Sequence, residues 1–176
     1  MNGFVPVKGL HHVAYRCRDA EDTRRFYEDI LGLPLVHLIR LDTVPSTGER
    51  CPYVHVFFEL GDGSCVAFFD LGDGEASTPS ANTPPWVQHL ALEVADLAAL
   101  DTAKQRLVEA RIDVTGPTDH GFVKSIYFRD PNGVRLELTA KTIPSLDHDA
   151  PADAHRALQE WTREKQLRAG HTAKIA

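Results

Sequence analysis

Two histidines and one glutamate occupy positions from which they could bind one metal ion. His12 begins the phrase HVA and His89 the phrase HLA, and an aspartate follows each histidine seven positions later. An internal repeat of this size indicates two copies of one supersecondary unit. The two histidines therefore hold equivalent places in the two copies, and Glu137 lies on the last strand predicted for the second copy.

The carboxylate is present in only one of the two copies. Gly133 is followed four residues later by Glu137, whereas Gly63 is followed four residues later by Ala67. The chain thus offers two imidazoles and one carboxylate. Such a set leaves open positions on one side of an octahedral metal, which is typical of non-haem Fe(II) sites that bind substrate and O2 together. The pattern predicts an Fe(II) site, with Mn(II) or another divalent metal as the alternative.

The elements that must position these residues follow from hydrophobic periodicity and turn residues. In the first copy, a strand over 9–17 precedes a helix that Asp19 caps and Gly32 ends, and three strands follow over 35–40, 53–60 and 65–71. In the second copy, a strand over 87–94 and a helix over 97–110 precede strands over 112–114, 123–129 and 134–139. The order β-α-β-β-β therefore occurs twice and predicts an α+β fold. We expect one domain over 7–142, made of module 1 (7–71), a linker (72–85) and module 2 (86–142), and a C-terminal helical extension over 143–176.

Alternation along the strands of module 2 separates polar from apolar side chains. Successive side chains on a strand point to opposite faces. Leu90 and Leu92 should therefore pack on the helix, and His89 should point away from it. The same alternation places Tyr127 and Glu137 on that helix-free face. A polar set on a concave sheet face indicates a binding site rather than a core.

Other candidate side chains are placed near this face by the internal repeat or by a neighbouring loop. His12 matches His89 in the repeat, so His11 falls on the helix side. His120 lies in a loop, TDHGF, beside the expected cavity mouth. His55 depends on the hairpin that follows it: a three-residue turn directs it into the cavity and a two-residue turn directs it out. The candidates for an apolar wall are Phe57, Phe69 and Phe122.

The composition indicates a soluble globular protein and argues against nucleic-acid and anionic-membrane partners. The 176 residues are 43% hydrophobic and 25% charged, which suits one domain with its own core. The net charge of -6 gives no support to nucleic-acid or anionic-membrane binding. No apolar run approaches the ~20 residues of a membrane span, and the first residues show no secretory signal. The three cysteines form no CxxC pair, which is typical of reduced thiols and predicts a cytoplasmic protein.

Three phrases of the chain resemble a known superfamily. LHHVAYRCRDAEDTRRFYEDILGL, WVQHLALEV and IYFRDPNGVRLELT, with the strands between them, cover residues 9–140. They are similar to the vicinal oxygen chelate superfamily, which includes glyoxalase I, methylmalonyl-CoA epimerase, fosfomycin and bleomycin resistance proteins, and extradiol ring-cleavage dioxygenases. The resemblance implies two tandem modules that form a curved, mixed-sheet half-barrel around a metal cavity.

The resemblance also implies roles for individual residues. His12, His89 and Glu137 match three of the four metal positions of the superfamily, and Ala67 stands at the fourth. Glyoxalase-type and epimerase-type members generally fill that position with a ligand, whereas extradiol dioxygenases leave it empty. Tyr127 falls where extradiol enzymes keep a tyrosine that hydrogen-bonds the substrate. These matches favour the one-domain extradiol dioxygenases.

One position departs from the extradiol pattern. Ser64 stands where these enzymes usually place a catalytic histidine, so His120 or His55 would have to move protons instead. The primary hypothesis is an Fe(II)-dependent extradiol-type dioxygenase that cleaves a catechol-like aromatic diol with O2. The alternatives are a glyoxalase-like isomerase or lyase that uses another divalent metal, and a metal-free protein that binds a drug or metabolite. A homodimer or higher homo-oligomer is expected, and the modules could pair within one chain or between two.

Overall fold

A computed structural model describes residues 8–77 and 82–143, together with six positions between 156 and 167. The chain divides into two compact units, Met1–Thr142 and Ile143–Ala176. In the second unit, the six described positions beyond Ile143 are helical (156, 157, 159, 160, 163 and 167). Much of the helical extension predicted over 143–176 lies outside the described residues, including its apolar residues Ala154, Leu158 and Trp161.

The first unit contains the β-α-β-β-β order twice. Module 1 consists of β1 (His12–Cys17), α1 (Ala20–Arg24, continued as a π-helical segment over Arg25–Ile30), β2 (Leu35–Thr43), β3 (Arg50–Glu59) and β4 (Cys65–Asp70). Module 2 consists of β5 (Leu90–Glu93), α2 (Leu97–Glu109), β6 (Thr115–Asp119), β7 (Val123–Arg129) and β8 (Arg135–Lys141). The duplicated α+β fold predicted from the sequence is confirmed.

The eight strands form two open four-stranded sheets with matching topology. Their orders are β1-β4-β3-β2 and β5-β8-β7-β6. The first pair in each sheet is parallel and the other pairs are antiparallel. Within the described residues, β1 and β5 are therefore both edge strands. Ala14 pairs with Ala67 in one sheet, as Ala91 pairs with Glu137 in the other, so the repeat alignment that makes Ala67 equivalent to Glu137 is confirmed.

Each helix begins at an aspartate that follows the first strand of its module. Oδ1 of Asp19 accepts a hydrogen bond from the backbone N of Asp22, and Oδ1 of Asp96 accepts one from the backbone N of Ala99, both at 2.8 Å. These bonds satisfy backbone donors that the first helical turn leaves free. The caps fix where each helix starts and hence how it crosses its sheet.

Burial follows the alternation predicted for the strands. The side chains that face the helices are fully buried, for example those of Phe58, Phe68, Ile126 and Leu136. Each large apolar side chain buried in this way stabilises the fold by roughly 1.5–3 kcal/mol. The burial of this side leaves the opposite, helix-free face of both sheets available for polar residues.

A buried polar network joins α1 to the turn between β7 and β8. The Tyr27 hydroxyl donates to Oδ2 of Asp130 at 3.1 Å, and Nδ2 of Asn132 donates to the Thr23 hydroxyl at 3.0 Å. Burial raises the pKa of the Asp130 carboxyl, and burial together with Asp130 raises the pKa of Tyr27. The network ties the helix of module 1 to the sheet of module 2.

Several predicted strands differ from the structure in their bounds, as the strand over 9–17 does by beginning at His12, and one predicted strand does not form. Residues 112–114 are not a strand, because Arg111 adopts φ 61° and the backbone N of Ile112 donates to the Leu107 carbonyl, which closes the end of α2. Ile112 instead packs against the core from a loop, and the strand begins at Thr115. The strand predicted over 87–94 forms only over Leu90–Glu93. Among the helical residues that are described, no helix is long and apolar enough to cross a membrane.

Candidate functional site

A histidine and a glutamate meet on the helix-free face of module 2. Nε2 of His89, just before β5, lies 3.0 Å from Oε2 of Glu137 on the neighbouring strand β8. Glu137 is only 8% exposed, and a buried carboxylate requires a partner of positive or hydrogen-bonding character. Strand alternation predicted that both side chains lie on the helix-free face, and in the structure they lie there in contact.

Tyr127 links this pair to His120. Its hydroxyl lies 3.2 Å from Oε1 of Glu137 and 2.8 Å from Nε2 of His120. A phenol has one hydrogen to donate, so when Tyr127 donates to Glu137, His120 must donate to the phenol oxygen. Burial first and the charge of Glu137 second raise the pKa of Tyr127, which keeps it a hydrogen-bond donor at neutral pH. The structure thus brings together all four module 2 candidates.

Arg135 is a neighbour that the sequence analysis did not single out. Its guanidinium carbon lies 4.6 Å from the centroid of the Tyr127 ring, in a cation–π contact. Strand alternation could have identified it, because Arg135 precedes Glu137 by two residues on β8 and therefore lies on the same helix-free face. The contact with Tyr127 depends on the side-chain rotamer, which the pattern does not specify.

His12 lies in a separate group on the helix-free face of module 1. Its Nδ1 is 2.7 Å from Nδ1 of His11, so one of these two nitrogens carries the hydrogen. Its ring packs edge-on against His55 and Phe57, with centroid separations of 5.8 and 5.4 Å. His12 is exposed in the isolated chain.

His55 points to the same face as His12 because its hairpin has a three-residue turn. The backbone N of Leu60 donates to the Ser64 carbonyl, and residues 61–63 form the turn between them. The His55 ring stacks on Phe69 at 3.7 Å, and its Nε2 is buried without a hydrogen-bond partner among the described residues. Burial first, then the neighbouring histidines, lower the pKa of His55 to about 4. His55 is therefore neutral at physiological pH.

Two of the three apolar-wall candidates lie beside His55, and Ser64, at the usual histidine position, is part of a turn. Phe57 and Phe69 line the module 1 group with His55, whereas Phe122 is 43% exposed in the loop before β7. Ser64 is buried in the hairpin, where its hydroxyl donates to Oδ1 of Asp62 at 2.6 Å. This hydrogen bond stabilises the turn between β3 and β4.

The donor atoms of His89 and Glu137 suit two positions of a metal ion. Two ligands at about 2.1 Å from a metal and about 90° apart are separated by roughly 3 Å, which matches the 3.0 Å between Nε2 and Oε2. The same distance also fits a direct hydrogen bond. In the part of the chain that is described, no three His, Cys, Asp or Glu side chains are grouped so as to hold a metal ion, so His12 does not join the pair within one chain.

Ala67 offers no ligand at the place equivalent to Glu137. Its methyl group has 0% exposure and lies beside Ala14 on β1. A methyl group cannot coordinate a metal. Module 1 can therefore contribute histidine but no carboxylate at this position.

Comparisons with known proteins agree with this architecture. The family model described as "Glyoxalase/Bleomycin resistance protein/Dioxygenase superfamily" matches residues 9–138. The chain is 28% identical over 140 residues to the "Putative ring-cleaving dioxygenase MhqA" of Bacillus subtilis (strain 168), and the match covers 77% of this chain and 41% of that protein. The chain thus spans less than half the length of this curated relative.

Solved structures show the same fold. A glyoxalase/dioxygenase from Nostoc punctiforme is 25% identical with a TM-score of 0.59, and the match covers 81% of this chain and 99% of that one. A lactoylglutathione lyase from Agrobacterium tumefaciens is 23% identical with a TM-score of 0.54, over 77% and 96% of the two chains. Because the family model matches most of the chain, the protein belongs to the glyoxalase/bleomycin resistance protein/dioxygenase superfamily.

Proposed function

We propose that the protein is an Fe(II)-dependent extradiol-type dioxygenase that cleaves the ring of a catechol-like aromatic diol with O2. The observation that carries the proposal is the His89–Glu137 pair beside Tyr127, in a chain whose equivalent module 1 position is Ala67. With one more histidine, this set has the two nitrogens and one carboxylate that suit non-haem Fe(II) and leave positions for substrate and O2.

The third ligand would be His12 of a second copy of the chain. His12 and His89 are both exposed, and they lie at or beside the edge strands β1 and β5. A twofold dimer that places β1 of one copy next to β5 of the other brings His12 to the pair and forms two equivalent sites. The homodimer expected from the sequence thus becomes a requirement of the proposed site.

The residues around the pair have separate roles in this proposal. Bound Fe(II) would supply Lewis acidity, which favours an ionised substrate hydroxyl. The Tyr127 hydroxyl would turn its one hydrogen from Glu137 to a substrate oxygen. His120 is exposed and bonded to Tyr127, so it can exchange a proton between the site and solvent. His55 contributes a neutral imidazole beside His12.

The name of one similar protein favours the dioxygenase over the other possible reactions. The relative from Bacillus subtilis is named a putative ring-cleaving dioxygenase, which favours the oxygenase. The structure from Agrobacterium tumefaciens is named a lactoylglutathione lyase, but its identity of 23% supports the fold alone. The empty Ala67 position weighs against a lyase, because that chemistry in this superfamily generally uses four protein ligands.

Oxygen uptake tests the proposal. Protein reconstituted with Fe(II) is given a panel of substituted catechols in an oxygen electrode, with His89→Ala as the control. The expected result is stoichiometric uptake of O2 with a yellow ring-cleavage product, lost in the control. Turnover of a hemithioacetal under strict anaerobiosis with Ni, Mn or Zn, and no O2 uptake, would contradict the proposal and favour the isomerase. Tight binding of an aromatic compound without metal or turnover would contradict it in favour of a binding protein.

A further inference from the structure

Arg135 is a cation beside the proposed site that has no counterion among the described residues. In the described residues, its side chain forms neither an ion pair nor a hydrogen bond, and its Nε is buried without an acceptor. A buried donor without a partner is unfavourable, and a guanidinium is the side chain best suited to a planar carboxylate. The cation is nevertheless held in place by the Tyr127 ring.

The position of Arg135 relative to the His89–Glu137 pair is fixed by the strands. Arg135 and Glu137 are two residues apart on β8 and share its helix-free face. Tyr127 contacts both of them, through its ring with Arg135 and through its hydroxyl with Glu137. A small molecule that reaches the pair past Tyr127 could therefore place an anionic group on Arg135.

A cavity provides room for that group. It has a volume of about 520 Å³ and its lining includes Arg135, Tyr127, Phe26 and Arg129, and sites for small molecules commonly enclose 300–1,000 Å³. The lining does not include His89 or Glu137, so a molecule in this cavity would reach the pair past Tyr127. Arg129 is already bonded to the Gly133 carbonyl at 2.7 Å, so Arg135 supplies the free donors. Two carboxylates also line this cavity, and neither pairs with Arg135: Asp113 is exposed, and Asp130 is bonded to Tyr27 and Asn132.

We propose that Arg135 binds a carboxylate of the substrate, so that the protein acts on carboxylate-bearing aromatic compounds. The inference rests on the proposed function for the diol, because it names the class of that same substrate. Arg135 is a substrate-binding residue in this proposal, and it takes no part in moving protons.

Binding to the metal-free protein tests this assignment independently of turnover. Dissociation constants are measured by calorimetry for 3,4-dihydroxybenzoate against catechol, and for benzoate against benzamide. The wild type is expected to favour the carboxylate in each pair by about tenfold, since charge-assisted hydrogen bonds are the strong ones. Arg135→Gln should abolish the preference, and Arg135→Lys should retain part of it.

The control removes a positive charge from the same strand without touching the cavity. Lys141 lies at the other end of β8 and is paired with Glu93 at 2.8 Å, so Lys141→Gln should keep the wild-type preference. Urea midpoints establish that each variant is folded. Equal preference in wild type and Arg135→Gln, or no carboxylate preference in the wild type, would overturn the assignment.

The two proposals fail in different ways. If no catechol supports O2 uptake but the benzoate preference depends on Arg135, the dioxygenase proposal is wrong and the carboxylate site stands. If O2 uptake occurs equally well with catechol and 3,4-dihydroxybenzoate, and binding shows no preference, the dioxygenase stands and the carboxylate site is wrong.

Discussion

Mixing two inactive variants distinguishes a site shared between two copies from one formed within a chain. His12→Ala removes the proposed module 1 ligand and His89→Ala removes a module 2 ligand, so neither homodimer can form a complete site. Both histidines are exposed in the isolated chain, and in His89→Ala the buried Glu137 keeps its hydrogen bond with Tyr127. The variants should therefore fold like the wild type, and any loss of iron reports on coordination.

The size of the recovery follows from the geometry. A mixed dimer holds one complete site, made of His12 from the His89→Ala copy and His89 and Glu137 from the His12→Ala copy, and its second site lacks both histidines. Random exchange of subunits at equal concentrations makes about half of the dimers mixed, so about a quarter of the wild-type sites return. Separately, each variant should bind almost no iron.

The assay is iron content per chain after anaerobic exchange, reconstitution and removal of free metal. The mixture should contain about one quarter of the wild-type iron and recover O2 uptake in proportion, as expected for complementation in a dimer. A control mixture of His89→Ala with Glu137→Ala should recover nothing, because both substitutions affect the same module. If the first mixture contains no more iron than the control mixture, the shared site is refuted.

Three further predictions follow from other contacts. Tyr27→Phe removes the hydrogen bond to the buried Asp130 carboxyl and should lower the free energy of unfolding by about 1–3 kcal/mol; a loss below about 0.5 kcal/mol in urea titrations would contradict this role. Tyr127→Phe should reduce kcat/KM by about tenfold or more while leaving the iron content unchanged, since the phenol contacts Glu137 but is not a ligand; loss of iron instead would assign it to the metal. The pKa of His55 is about 4 in the folded protein and lies below its unfolded value of 6.5, so the metal-free protein should lose stability as the pH falls from 6.5 towards 4. In His55→Phe the urea midpoint should fall less over this range. Identical pH profiles of the two proteins would count against a buried neutral imidazole.

Much of the fold and part of the site follow from local sequence patterns. Alternation along β7 and β8 is a property of each strand alone, and it correctly placed Tyr127 and Glu137 on one face. The aspartate cap at Asp19 is equally local and occurs in the structure, whereas the choice between a two-residue and a three-residue turn after His55 was left open by the sequence. These features require only the geometry of a few consecutive residues.

The features that the sequence did not predict depend on longer-range packing. The pattern over 112–114 predicts a strand, but the backbone N of Ile112 closes α2 and its side chain packs against the core. The separation of His12 from the His89–Glu137 pair depends on how one sheet lies against the other. The cation–π contact of Arg135 depends on a rotamer chosen by its neighbours. None of these is specified by the period of the pattern.

Iron analysis of protein purified anaerobically tests the central claim most directly. The wild type is compared with His89→Ala, which leaves Glu137 in place but removes one donor of the pair. The account predicts nearly one iron per chain in the wild type and almost none in the variant. Zinc, nickel or manganese that is lost in the same way would contradict the iron assignment, and absence of any metal from the wild type after reconstitution would contradict the metal site itself.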